Sequence, residues 1–309
     1  MYYAESSQPM RFRKGFNIHI IVGLLLSSFF LLGSVLGIFL SDNLTHPGYE
    51  HLPPSVPVIK YLLDRQTQSS FQLESHVSDK FYLLGTDMEG RDIFVRLLSG
   101  SFNYLWGGFI TIVISILLGI FLASLKYYYT KSQLTVPANF IFNVLDSFPR
   151  IIIVIIILFI TNFSFYALAI TIGLLNSTKV TMIVGANIEK LKNTQFIEAA
   201  KELGVSDFNI IIKHILWYNS RAQLIIQIIF GFASLILYEA TLAYLNLGAP
   251  ESIVTWGKMI YEGIGFKAAY LLKTGLLWES LPAALMIILT LLGFNLLAEG
   301  VAKRNSENY

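Results

Sequence analysis

Few residues in this 309-residue sequence are placed to make or break bonds. It has no cysteine, which removes disulfides, thiolate metal sites and thiol nucleophiles together. No H-E-x-x-H, G-x-S-x-G or G-x4-G-K-[ST] pattern occurs, so a zinc-protease helix, a serine-hydrolase elbow and a phosphate-cradling loop are all missing. His46, His51 and His76, three of the five histidines, share the stretch 41–100. Without i, i+4 spacing or a tight cluster they read as solvated loop residues rather than metal ligands. Two charge groups stand out instead. Asp87, Arg91 and Asp92 form a short network ahead of a long apolar run, where an acid caps a helix. Asp146 and Arg150 flank Pro149 inside another apolar run. At i, i+4 on one helix they neutralise each other within a bundle, and the proline opens the backbone bonding to make a hinge.

The elements that position these groups follow from composition. Hydrophobic residues make up 54% of the chain and charged residues 14%, against about 25% charged in a soluble domain. Lipid is therefore the main solvent, and the class is an all-α membrane protein. The net charge of +2 gives no nucleic-acid footprint. A membrane-crossing helix needs about 20 mostly apolar residues, and six runs qualify: 17–40, 102–125, 138–160, 163–186, 222–243 and 281–302. The first follows Arg11, Arg13 and Lys14; it is too long for a signal peptide and lacks an A-x-A-like cleavage site, so it reads as a retained span. Residues 1–16, the short stretch 187–221 and residues 303–309 carry most of the Lys and Arg that count in the positive-inside rule, which places both termini in the cytoplasm.

Between the spans, residues 41–100 hold four of the nine prolines and read as an outside loop with little regular structure at its start. Residues 246–277, with Trp256 and several Tyr and Phe, have the make-up of an interfacial hairpin or outer gate. The stretch 187–221 looks folded. Ser206 can cap a helix whose Phe208, Ile211, Ile212, Ile215 and Leu216 recur with a 3.6-residue period. Ile188, Leu191, Phe196, Ala200 and Leu203 suggest a helix before it, and Gly204 supplies the reversal between the two. Such an elbow either lies flat at the interface or docks a partner.

The elbow carries Glu198-Ala199-Ala200-Lys201-Glu202-Leu203-Gly204 and then Ile215-Leu216, which resembles the EAA loop of ATP-binding-cassette importer permeases. Gly85-Thr86-Asp87 with Gly90-Arg91-Asp92 looks like the GTD-x2-GRD signature of C-type permeases of oligopeptide, dipeptide and nickel importers; Arg96 and Gly100 fit the same pattern. Ser147-Phe148-Pro149, Glu239-Ala240, Trp256-Gly257 and Phe294-Asn295-Leu296-Leu297 are similar to that family in order and spacing. The likeness runs from about Gly85 to Val301. This chain departs from the pattern at Trp217, where the loop usually ends in proline, at Asn143, where relatives carry an acid, and at Lys179, where Trp and Arg are usual nearby. Without that proline the second helix runs on toward the membrane.

The resemblance implies the type I importer permease fold: a first span 17–40, an extracytoplasmic segment 41–100, and a core of five spans over 101–302 interrupted by a coupling loop at 187–221. It implies a non-catalytic subunit of a prokaryotic plasma or inner membrane that binds no cofactor itself. Two cytoplasmic ATPases hold ATP and magnesium, a second, B-type permease completes the pore, and an extracytoplasmic binding protein delivers the cargo. On this reading Phe196, Ile197, Glu198, Ala199, Ala200, Gly204 and Phe208 seat in an ATPase cleft, while Asp146, Pro149, Arg150 and Trp256 border the path or its gate. Gly85, Thr86, Asp87, Gly90, Arg91 and Asp92 are structural. The cargo is an oligopeptide or dipeptide, with nickel or a metal chelate as the alternative. A membrane enzyme or passive channel ranks behind both, since no catalytic pair is in evidence and a channel has no use for a folded elbow.

Overall fold

A computed structural model describes residues 18–40, 83–87, 91–130, 133–250, 252–264 and 280–306. Gly90, His46, His51, His76, the N-terminal Arg11, Arg13 and Lys14, and most of the expected outer segments lie outside the described residues. The described chain folds as helices α1 (Ile18–Leu40), α2 (Ile93–Tyr128), α3 (Thr135–Ser147), α4 (Arg150–Ile160), α5 (Phe165–Leu191), α6 (Gln195–Glu202), α7 (Asp207–Tyr244), α8 (Trp256–Ile264) and α9 (Ser280–Ser306). Helices α1, α2, α5, α7 and α9 are each long and apolar enough to cross a membrane. Pair α3 and α4 forms a sixth apolar unit, bent by 100° between its halves. The expected straight span 138–160 is thus two rods. Pro149 cannot donate a backbone hydrogen bond, and Phe148 before it is extended (φ −97°, ψ 146°), so the helix ends and restarts there.

Helices α2 and α5 pack along each other, α1 lies against both α2 and α9, and α8 is held between α7 and α9. Lipid supplies no hydrophobic pressure between spans, so close backbone approach at small residues does the work. Gly23 faces Leu297 and Gly293 of α9, and Gly37 meets the Leu98 carbonyl of α2, so a Cβ at either would clash with backbone. Many large apolar side chains point outward, as a lipid-facing surface allows.

The expected extents of the other spans shift for local reasons. Helix α2 begins at Ile93 rather than 102 because the Asp92 carboxylate accepts the Phe94 and Val95 N–H groups at 2.8 and 3.3 Å. Helix α5 runs on to Leu191, beyond the apolar run, because Val184 and Ile188 on its last turns are fully buried.

Trp256 does not sit at an interface or gate. Its side chain is 0% exposed, its indole packs edge-on to Phe30 with centroids 5.9 Å apart, and its Nε1–H donates to the Leu97 carbonyl at 2.9 Å. Gly100 of α2 leaves room for the ring; a Cβ there would lie 2.9 Å from it. Trp256→Ala should lower the chain's stability by about 3–5 kcal/mol, read as an earlier thermal midpoint of the detergent-solubilised protein. An unchanged midpoint would remove Trp256 from the core.

Candidate functional site

The elbow is folded and has a core of its own. Helix α6 ends in a Schellman turn: the Gly204 N–H donates to the Lys201 carbonyl at 2.9 Å and the Val205 N–H to the Ala200 carbonyl at 3.0 Å. Gly204 takes φ +77°, the left-handed conformation that glycine adopts without strain. The Ser206 hydroxyl then accepts the Asn209 N–H at 3.4 Å and starts α7. From Ile210 to Ser220 the helix is a π-helix, whose bonds run from i to i+5. Its buried residues accordingly fall at Ile210, Ile215 and Ser220 and at Ile211 and Leu216. The expected 3.6-residue stripe is therefore replaced, and Phe208 and Ile212, its other members, are exposed. As expected from Trp217, α7 continues unbroken to Tyr244.

Ile197, Ile210, Ile211, Ile215 and Leu216 close over Ala123 of α2 and Val180, Val184 and Ile188 of α5. This cluster is separate from the main core around Trp256. Ile197 is 1% exposed, so it anchors the elbow to the spans and is not available to fill a partner's cleft; Ala200 is buried beside it. The outward side carries Phe196, Glu198, Ala199, Leu203 and Phe208. Leu203, among the described residues the most exposed large apolar one at 84%, is the functional candidate that the sequence pattern assigned to the helix stripe; its place at the α6 C-terminus, beside the reversing glycine, is the signal that turns it outward.

The end of α2 also clamps the elbow, a contribution with no sequence signal because it spans about 80 residues of chain. The Tyr128 hydroxyl donates to Asp207 Oδ1 at 2.5 Å, and Lys201 Nζ lies 5.0 Å from the Tyr128 ring centroid. Lys192 Nζ donates to the Tyr127 carbonyl at 3.1 Å. Burial, with the Asp207 carboxylate adding to it, pushes the neighbouring Tyr129 hydroxyl above its ordinary pKa.

At the other end of α2, Asp87 and Arg91 form the expected charge network, which is larger than their spacing indicates, while the Asp92 carboxylate stays out of it and only caps the helix. Thr86 bridges to Asp92, and the Asp87 N–H donates to the Arg91 carbonyl at 2.9 Å. Gly85 turns the segment with φ +80°. The Asp87 carboxylate receives Arg91 Nε at 2.6 Å and also Arg96. Arg96 is 1% exposed and its other arm reaches Glu262 of α8 at 2.6 Å. Burial raises the Asp92 carboxyl, against the lowering effect of the N–H groups it caps. Glu262, missed from the sequence, closes the network from 166 residues away.

Asp146 and Arg150 are not brought together. The bend at Pro149 puts them on different rods, Asp146 is exposed, and the Arg150 guanidinium donates to Asn176 Oδ1 at 3.4 Å and Thr178 Oγ1 at 3.2 Å. Glu239, fully buried on α7, instead receives the Tyr104 and Thr255 hydroxyls, the latter at 2.6 Å, and so ties α8's start to α2 and α7. Among the described residues no group of three or more His, Cys, Asp or Glu is placed to hold a metal.

The family described as binding-protein-dependent transport system inner membrane component matches residues 87–307. The chain is 31% identical to a dipeptide transport system permease protein of Alkalihalophilus pseudofirmus over 76% of its own length and 74% of that protein. It is 26% identical to an oligopeptide transport system permease protein of Bacillus subtilis, over 72% and 70% respectively. It is also 26% identical to a glutathione transport system permease protein of Pectobacterium atrosepticum over 78% of each chain.

The Tyr128 clamp makes a direct prediction. Tyr128→Phe removes a hydrogen bond to a charged acceptor, about 1.5–3 kcal/mol, and should speed hydrogen exchange of backbone amides in residues 195–209 by about tenfold or more, while amides in the middle of α5 keep wild-type rates. Unchanged exchange in the elbow would show that the apolar cluster holds it alone.

Proposed function

We propose, starting from the fact that this chain belongs to the family of inner membrane components of binding-protein-dependent transport systems, that it is the C-type permease subunit of an ATP-driven peptide importer. The observation that carries the mechanism is the elbow: a helix–turn–helix with its own apolar core, leaving Phe196, Leu203 and Phe208 exposed on its outward side. In this reading each of two cytoplasmic ATPases takes one such elbow, one from this chain and one from a homologous second permease. The termini lie on the same cytoplasmic side. ATP and magnesium belong to the ATPases, and this chain contributes no catalytic group. Peptide cargo, suggested by the dipeptide, oligopeptide and glutathione permeases it is similar to, arrives from an extracytoplasmic binding protein.

Closure of the ATPases moves their elbows, and motion passes to the gate only if the elbow does not flex. The Schellman turn, the apolar cluster and the Tyr128 clamp supply that stiffness. An apolar anchor of this size contributes about 1.5–3 kcal/mol when buried, so Phe196, Leu203 and Phe208 together suffice for a stable joint, with Glu198 as a polar partner at the rim.

Three variants test the reading in the assembled transporter. Leu203→Asp with Phe208→Asp should leave the amount of chain in the membrane unchanged but lose ATPase from the purified complex and cut tripeptide uptake at least tenfold; full ATPase retention would rule out elbow docking. At Gly204 a Cβ meets nothing within 4 Å, so Gly204→Ala and Gly204→Trp carry the same backbone cost of about 1–3 kcal/mol and differ only in what projects outward. The Trp variant should lose transport far more than the Ala variant; equal loss would assign the effect to the turn and not to a docked partner.

A further inference from the structure

We infer that Arg150 and Lys179 form a carboxylate-binding site half-way across the membrane, at which a peptide in transit places its C-terminus; this rests on the peptide-import reading above. Asn176 and Lys179 lie about 17 and 21 Å from the start of α5, near the middle of a helix about 40 Å long, and the hydrocarbon core is about 30 Å thick. The Arg150 guanidinium reaches this level and is built into place by neutral acceptors alone. Asn176 gives its Nδ2–H to the Ser234 hydroxyl at 2.8 Å, which turns its Oδ1 toward Arg150. Thr178 donates to the Leu175 carbonyl at 3.0 Å, which leaves its oxygen lone pairs for Arg150.

Among the described residues no anion balances this charge. Among the described residues neither Arg150 nor Lys179 has a carboxylate partner, and the two cations oppose each other electrostatically. The acids on the spanning helices stand elsewhere: Glu239 with Tyr104 and Thr255, Glu299 with Lys303, Asp207 with Tyr128, and Glu189 on the last turn of α5, ten residues beyond Lys179. Asp146 stands on the other limb of the bend. Two uncompensated cations at this depth are costly unless they face water or an anion. The surroundings point the same way. Lys179 is exposed, Arg150 half-buried, and the broken backbone at Phe148 and Pro149 is exposed next to them; non-helical backbone at membrane depth occurs only inside protein or along a water-filled cavity. Arg150 is also the first residue of the eleven-residue α4, whose free N–H groups add partial positive charge at the same point. A guanidinium has five N–H donors and two interactions hold it here, so donors remain for a bidentate carboxylate.

The test uses the complete importer with its binding protein in proteoliposomes, and Ala-Ala-Ala and its C-terminal amide as probes. Discrimination by the binding protein is unaltered and cancels in the variant-to-wild-type ratio for each probe. Arg150→Gln with Lys179→Gln should lower the initial uptake rate of the free acid about tenfold and that of the amide less than twofold, and Arg150→Lys should keep most of the acid's rate. Lys179→Gln alone, at an exposed position, gives the same asymmetry in smaller measure and covers the case in which the double variant fails to assemble. Equal loss for both probes, or no loss for either, would overturn the site. Uptake of neither probe by the wild-type complex would overturn the peptide reading itself, and this inference with it.

Discussion

Hydrocarbon cannot hydrogen-bond, and this constraint organises the molecule. Every polar group carried into the spans must find its partner inside protein or beside water. Glu239 meets this demand with two hydroxyls that tie α2, α7 and the segment before α8 together. Arg96 meets it with Asp87 and Glu262, and the Trp256 indole with the Leu97 carbonyl. Each solution doubles as a joint between elements. In a solvent that gives helices no reason to associate by apolar burial, such joints and the glycine contacts between α1, α2 and α9 decide which faces meet.

One consequence is mechanical. Helix α2, 36 residues long and about 54 Å from end to end, carries the Asp87–Arg96–Glu262 network near its start and the Tyr128 clamp at its finish. The two ends of the bundle are therefore linked through one rod. The elbow's apolar cluster is separate from the main core, so the elbow is attached to α2, α5 and α7 through contacts of its own rather than dissolving into the bundle. The π-helix between elbow and span lets Ile210, Ile215 and Ser220 share a face over eleven residues, a geometry that a regular helix would rotate away from α5.

How far the sequence could be read depends on the range of the interaction. Local signals were legible: the Gly204 reversal, the Ser206 and Asp92 caps, the apolar runs, and the continuation past Trp217 all depend on residues within a turn or two of one another. Readings that assumed one continuous element failed where it was not continuous. Asp146 and Arg150 share a helical face only if Pro149 does not bend the chain by 100°, and the stripe from Phe208 to Leu216 has a 3.6-residue period only in an α-helix. Trp256 and Ile197 show a different limit, because composition reports that an apolar side chain needs cover but not whether lipid, a partner or the chain itself provides it.

By itself, the amino-acid sequence determined the solvent, the number of apolar segments and the turn at Gly204, because hydropathy, capping and glycine conformation act over a few residues, and its ordered motifs carried the likeness to the family. Tertiary structure alone decided that Ile197 faces inward, that Trp256 is core, that Glu262 closes the Asp87 network, and that Arg150 turns to Asn176 and Thr178 instead of Asp146. Those outcomes depend on which helix faces meet across tens to hundreds of residues of chain, and in a medium without water the pairing of each polar group is settled only once that packing exists.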